Sequence, residues 1–471
     1  MKRKIVISVL LHQVQVGIVE DNRLVEYYLE RDCKERIGTN IYKGRVENVL
    51  PGMGAAFVDI GMAKNAFLFL ADAGKDIKTG DSIMVQVSKE AVGTKGPRVT
   101  TKISLPGRYL VLMPFQDNTG VSRQIQDEEE RARLKEIAED IRPEATGVIV
   151  RTVAEGHSRE ELEGDLDDLM AEWSRIQRKF KSKSPSPLLY QDYDLVHRIL
   201  RDVYVAENTT IVVDSLEMKD RIEEELGGLG VTEQVKIDLY QGKVSLFTYL
   251  GLDKDLERAG SNRVWLDCGG YLVFNQTEAL LSIDVNTGKY VGSKNLPDTV
   301  LKTNLEAAAE IARQLRLRNT GGIVIIDFID MTAPAHQEAV LEELAASLKA
   351  DKTRTNLLGF TRLGLVELTR KKTERLLSHV LEVDCPHCKG RGRVLSDETL
   401  SFQIAREIRS LAAEDVDSIE VRCHPAVAGF VIGPGGSNLR ALEECTGKAI
   451  SVKGDVSLVR QDYHVRTLSN D

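Results

Sequence analysis

The chain has 471 residues, 42% of them hydrophobic and 29% charged, and a formal net charge of −9. That length exceeds one ordinary core, so several domains are expected. No apolar run reaches the roughly 18 residues of a membrane-spanning helix, and the acidic balance argues against a nucleic-acid partner unless basic residues are locally concentrated. Such an island exists: residues 362–393 carry eight Lys/Arg against four acids. The six cysteines are scattered apart from Cys385 and Cys388, which speaks against a disulfide scaffold and for a reducing compartment. The N-terminal "MKRKIVISVLLHQVQVG" has an apolar stretch of only seven residues, 5–11, followed by alternation. It reads as a strand and not as a signal peptide, and the protein is expected to be cytoplasmic.

In chain order, residues 4–30 alternate as a meander of two or three strands, with "EDNRL" as a turn. Short strands separated by Gly and Pro fill 39–103 and predict a small barrel. A charged helix over 126–140 precedes a buried strand, "TGVIVRTV", at 146–153. The helix at 158–180 carries Leu162, Leu166, Leu169, Trp173 and Ile176 on one face. "KSKSPSP" at 181–187 is loop or linker, and 195–260 mixes helix and strand. A strand at 278–286 is followed by a helix at 298–318 with Asp298 as N-cap and Leu301, Leu305, Ala308, Ile311 and Leu315 as its stripe. A buried strand at 323–327 and a helix from about Pro334 follow. Strand, helix, strand is the crossover of a parallel pair.

That crossover sets Asp284 and Asp327 at equivalent strand ends, where α/β sites form. Residues two apart share a strand face, so Asn286 lies beside Asp284. Each Asp could simply cap a turn or helix, with Asp330 capping the helix that follows. The functional reading is a Mg²⁺ site, because that hard ion needs only one or two carboxylates and keeps water for a phosphate substrate. "CPHCKGRG" supplies Cys385-x-x-Cys388, a zinc-knuckle spacing. Tetrahedral zinc needs four ligands, so either two chains contribute a pair each or His379, His387, Cys423 or His424 complete the site. Phe57, Phe67 and Phe69 lie on barrel strands, where they either fill the interior or stack unpaired bases. "GFVIGPGGSNLR" places Gly433, Gly435 and Gly436 in a G-x-x-G loop within a β–α–α–β order, which predicts a KH-like backbone clamp for nucleotides.

Together these segments resemble the bacterial ribonuclease E/G endoribonucleases. The resemblance rests on "LLSIDVNTG", "TNLEAAAEIARQLRLRNTGGIVIIDFIDM", "GFTRLGLVELTRKK", "CPHCKGRG" and, N-terminally, "NIYKGRVENVLPGMGAAFVDIGMAKNAFLFL". It implies a multidomain α/β plus β architecture. An RNase-H-like domain (1–36 and 197–260) is interrupted by an S1/OB barrel (37–103) and a 5′-phosphate sensor region (104–196). A deoxyribonuclease-I-like catalytic domain (261–381), a zinc-link (382–395) and the small C-terminal domain (396–471) follow. It further implies a Mg²⁺-dependent endoribonuclease acting on single-stranded RNA in processing and decay. Asp284 and Asp327 would be the Mg²⁺ ligands, supported by Asn286, and Cys385 and Cys388 would share Zn²⁺ between protomers of a dimer or tetramer. Arg151, Thr152 and Val111 would hold a 5′-monophosphate end. Phe57, Phe67 and Lys95 would contact RNA, with Arg370 and Lys371 expected to meet its backbone. The length matches the short, ribonuclease G-like type, and no degradation-scaffold tail is expected. The competing readings are a non-catalytic RNA-binding or scaffold protein with S1 and KH-like modules, and a metal-dependent deoxyribonuclease.

Overall fold

The computed structural model describes residues 2–11, 13–31, 37–73, 77–90, 96–182, 187–192, 194–202, 209–228, 235–288, 296–372, 375–413 and 416–468. It divides into two compact units, Met1–Leu377 and Ser378–Asp471.

The alternating N-terminus forms the strands Arg3–Leu10, Gln13–Glu20 and Arg23–Arg31. Asp21 and Asn22 make the tight turn between the second and third strands at positive φ, 47° and 64°, a backbone that short polar side chains tolerate. The first strand then pairs in parallel with Thr209–Val213, which pairs with Lys236–Leu239. One sheet is thus assembled from two chain segments nearly 200 residues apart. Its inward residues, Ile5, Ile7, Val16 and Ile18, pack against Leu195, Ile199, Ile222 and Leu226.

Between those segments, Ile41–Leu50, Ala55–Asp59, Ala66–Phe69, Arg98–Thr100 and Ser82–Lys89 are hydrogen-bonded in that order, and the last returns to the first. The result is a closed five-stranded barrel. Its core includes Val58, Leu68, Val85, Val87 and Val99. Phe57, Phe67 and Phe69 alternate with these positions and are only half-buried, so they do not fill the core; side chains two apart share the outer face.

A small sheet then carries Leu110–Met113, Thr119–Val121 and Gly147–Val150. It is backed by the helix Arg159–Lys181, which starts in a capping box of Ser158 and Glu161 and buries all five predicted apolar residues. Satisfying two otherwise orphaned N–H groups fixes where that helix begins.

The last sheet of the first unit has six strands in the order Arg263–Trp265, Tyr271–Gln276, Leu280–Asn286, Gly322–Asp327, Val366–Arg370, Thr355–Phe360. Only the central pair, Leu280–Asn286 with Gly322–Asp327, is parallel. Leu296–Leu317 makes the crossover, and Pro334–Leu348 packs beside it. Ile283, Val285, Val324 and Ile326 meet Ile311, Leu315, Val340 and Leu344 on the helical side, while the opposite face of the sheet carries the more exposed residues of the same strands. Two local expectations change. The crossover helix begins at Leu296, so Asp298 lies inside its first turn and is not the N-cap. The following helix is entered through Ala333 with Pro334 at its start, because a fixed proline φ starts the helix without a side-chain cap, and Asp330 is released from that role.

In the second unit, the strand Ser418–Cys423 lies parallel to Ala449–Gly454 and antiparallel to Tyr463–Leu468. The helices Pro425–Ile432 and Ser437–Thr446 are joined by the GPGG segment. Among the described residues no helix is long and apolar enough to cross a membrane.

Candidate active site

Parallel pairing puts Asp284 directly opposite Asp327. Period-two alternation sends Ile283 and Val285 into the core and leaves both carboxylates on the exposed face. Asn286, on the same face, donates from Nδ2 to Asp284 Oδ2 at 2.8 Å. Partial burial, then the charges of Asp284 and Asp330, hold the Asp327 carboxyl above the ordinary carboxylate value. Like charges so placed disfavour joint ionisation until a cation joins them. Two carboxylates and open space suit an octahedral Mg²⁺ that retains waters.

Sequence reasoning missed what holds these groups in place. Asn304, fully buried on the crossover helix, donates to Ile329 O at 2.8 Å and accepts from Ile329 N at 3.1 Å. That bidentate grip fixes the segment between Asp327 and the next helix. The signal was present: Asn304 interrupts an apolar stripe between Leu301 and Leu305. Glycine does similar work beside Asn286, at the same end of the sheet. Any Cβ on Gly270 would come within 2.8 Å of Asn286 O and 2.9 Å of Thr303, so only glycine allows this approach.

The second cluster lies at the small sheet. Val111 pairs with Ile149, and Arg151 N donates to Tyr109 O at 2.8 Å. The Arg151 guanidinium reaches Gly107 O. Thr152 Oγ1 meets Ser122 Oγ at 2.8 Å and donates to Gln124 Oε1 at 3.1 Å, while Gln124 Nε2 donates to Lys352 O at 3.3 Å. Val111, Arg151 and Thr152 are therefore gathered, and a loop of the carboxylate sheet adjoins them. Asp165 was also missed. It accepts from the backbone N–H of Arg108, Tyr109 and Leu110 at 2.8–2.9 Å, and burial raises its carboxyl above the ordinary value despite those bonds.

On the barrel, Phe57 and Phe67 stand edge to face at 6.0 Å, Phe67 and Phe69 at 4.8 Å, and the Arg98 guanidinium lies 4.2 Å from the centre of Phe69. Lys95 lies outside the described residues. Arg370 is a correction: it is 5% exposed and donates to Asp351 at 2.7 and 3.2 Å and to Thr320 O at 2.9 Å. Its fork is consumed inside the fold and cannot reach a substrate. Lys371 is exposed.

In the second unit, Cys385 O accepts from Lys389 N and Cys388 O from Arg391 N. The N–H groups of Cys388 and His387, with the Cys388 thiol, hold the Cys385 thiol below its ordinary value, the state a metal requires. Cys423 is buried in the core of this unit, and His424 Nδ1 accepts from Ala426 N, so neither is free to complete the pair. Among the described residues, no three His, Cys, Asp or Glu side chains are gathered around one point. Gly433, Gly435 and Gly436 all have positive φ, 75°, 60° and 80°.

A sheet presenting paired carboxylates, in one unit with a closed barrel walled by aromatics, defines a multidomain α/β plus β protein. Residues 104–373 match the model of the ribonuclease E/G family, and residues 384–468 match its thioredoxin-like domain. The chain is 40% identical to Ribonuclease G of Escherichia coli K12 over 96% of its length and 97% of that protein. It is 41% identical to Ribonuclease G of Haemophilus influenzae over 98% and 99%. With Ribonuclease E of a Synechocystis strain it shares 40% identity over 82% of this chain and 59% of that longer protein. The chain belongs to the ribonuclease E/G family. It is thereby an endoribonuclease of the short type. The family description of the second unit is thioredoxin-like; the helix–GPGG–helix order between parallel strands that prompted the KH-like expectation is nonetheless present.

Proposed function

We propose that the chain cleaves single-stranded RNA internally by water attack on a phosphodiester, leaving 5′-phosphate and 3′-hydroxyl ends, in RNA processing and decay. The observation that carries this reading is the register match of Asp284 and Asp327 on the open face of the sheet. These two side chains would hold Mg²⁺, and Asn286, by binding one oxygen of Asp284, would leave the other for the ion. When bound, the ion supplies Lewis-acid chemistry at the phosphoryl group. Asn304 keeps the Asp327 end in place through Ile329. Arg151, with Thr152, would grip a 5′-monophosphate that stimulates cleavage, since a guanidinium fork suits a phosphate dianion, and Val111 would pack on the terminal base.

Phe57 and Phe67 would stack bases on the barrel wall, with Lys95 and Lys371 on the backbone, and Gly433, Gly435 and Gly436 would let a strand approach the second unit closely. The barrel topology supports an S1/OB assignment. The sheet built from both chain segments supports the RNase-H-like one, and the helix-backed mixed sheet the deoxyribonuclease-I-like one. Cys385 and Cys388 would share zinc with the same pair of a second protomer, since among the described residues only these two thiols are gathered there.

The test is Asp327→Asn. RNA should still bind in a filter assay while cleavage at saturating Mg²⁺ disappears. Undiminished cleavage would remove Asp327 from the reaction.

A further inference from the structure

The open face of the six-stranded sheet continues past the carboxylates to its edge. Trp265 pairs with Tyr271, and Tyr271 pairs with Asn286; in the adjacent row Arg263 pairs with Val273, Val273 with Asp284, and Asp284 with Asp327. Alternation puts Val264, Leu272 and Phe274 inside and Arg263, Trp265 and Tyr271 on the carboxylate side. Strands stand about 5 Å apart and alternate residues about 7 Å along a strand. Tyr271 is therefore roughly 8 Å from Asp284 and Trp265 roughly 12 Å.

The three side chains form one platform. The Trp265 and Tyr271 rings are 5.2 Å apart at 57°, and the Arg263 guanidinium lies 4.5 Å from the centre of Tyr271. Trp265 is 47% exposed, whereas the other tryptophan, Trp173, is 5% exposed in a core. Cross-strand aromatic contact alone strengthens a hairpin. It does not account for an indole left half in water on the face that carries the carboxylates, nor for a guanidinium that no carboxylate pairs with among the described residues.

We infer that Trp265, Tyr271 and Arg263 form a nucleotide subsite for the RNA strand being cut. The indole and phenol rings stack the base of a nucleotide flanking the cleaved bond, and Arg263 meets its phosphate. The inference rests on the reading that Asp284 and Asp327 mark the reaction centre. A π-face plus a guanidinium is the chemistry that takes unpaired bases without regard to identity, and continuity with the carboxylate rows puts the occupant in line with the scissile bond. The role is substrate positioning.

The test uses the full chain with Trp173→Phe, which leaves Trp265 as its single tryptophan. Titration with a short 5′-phosphorylated single-stranded oligoribonucleotide, without divalent metal, should quench and shift its emission. Trp265→Ala and Tyr271→Ala should each raise KM roughly tenfold while kcat changes little. Tyr271→Phe, which keeps the ring, should restore the parent KM. Arg263→Gln should lower the slope of log affinity against log salt by about 0.7. A series of oligonucleotides with one abasic position each should contain one whose defect matches that of Trp265→Ala and is not deepened by it. Unchanged emission and unchanged KM in an enzyme that still cuts RNA would overturn the subsite and leave the nuclease reading intact. Quenching in a protein that cuts no RNA would overturn the nuclease reading and, with it, the subsite's place beside a cleaved bond.

Discussion

Asn304→Ala isolates the support of the reaction centre from the centre itself. The substitution removes a donor and an acceptor that both serve Ile329, at 2.8 and 3.1 Å. A net hydrogen bond contributes about 1 kcal/mol, and a buried group left without a partner costs about 1–3 kcal/mol. Ile329 is only partly buried, so water can reach the freed groups, and the lower end, about 2 kcal/mol, is expected. That water entry loosens the segment that carries Asp327 and Asp330. A shift on the order of 1 Å at a reacting centre can cost about 100-fold in rate, so kcat should fall roughly 10- to 100-fold while RNA affinity holds. Stability should be read locally, because a chain with several cores does not unfold in one step. Trp265 sits on the affected sheet, and its emission in a Trp173→Phe background reports that unfolding. Parent-like kcat together with a parent-like urea midpoint would show that Asn304 holds nothing that matters.

Arg370→Ala should behave as a stability defect: the side chains of the Arg370–Asp351 pair are only 4% and 3% exposed, and breaking such a pair costs about 3–5 kcal/mol. The fraction that remains folded should bind RNA as the parent does; a selective loss of binding would reinstate Arg370 as an RNA contact. Arg151→Ala should narrow the preference for 5′-monophosphate over 5′-hydroxyl substrates, measured as a ratio of kcat/KM, and an unaltered ratio would dismiss the end-binding role. Cys385→Ser with Cys388→Ser should remove zinc, measured by atomic emission, and reduce the mass by light scattering to that of a single chain. Zinc retained in the double variant would place its ligands elsewhere.

The register of Asp284 and Asp327 was legible because two constraints coincide. A strand–helix–strand crossover forces the two strands parallel, and period-two alternation then decides the face. The helix Arg159–Lys181 was legible for the same kind of reason, a strict apolar period behind a capping box. Arg370 was misread from composition alone, as part of a basic island. The alternation was available: Val366, Leu368 and Arg370 share one face of their strand, and all three are buried. Asn304 and Asp165 each sit beside an apolar stripe that they interrupt, but their partners are backbone groups of distant loops, which no local pattern names. The platform of Trp265 and Tyr271 needed the pairing register of an antiparallel hairpin, which a one-residue slip would have turned to the other face.

The crossover helix holds together the elements around the proposed reaction centre. Near its start Asn304 grips the segment behind Asp327. Farther along, Arg313 donates to Leu24 O at 2.6 Å and pairs with Glu310 and Asp255, and Arg316 pairs with Glu20 at 2.9 Å and Glu26 at 2.7 Å. Burial alone would raise the Glu26 carboxyl, yet Lys352 and Arg316 hold it below its ordinary value. These acids are thus committed to the interior and do not repel a polyanion at the surface. Buried ion pairs are weak evidence for stability but define orientation, since losing one partner leaves the other stranded. One helix therefore ties the N-terminal sheet to the carboxylate sheet, and Lys352, which steadies Glu26, also accepts through its carbonyl from Gln124 beside Thr152. The buried ion pairs of that helix and the exposed Gln124–Lys352 contact thus connect the N-terminal sheet, the carboxylate sheet and the loop beside Thr152 within the first unit.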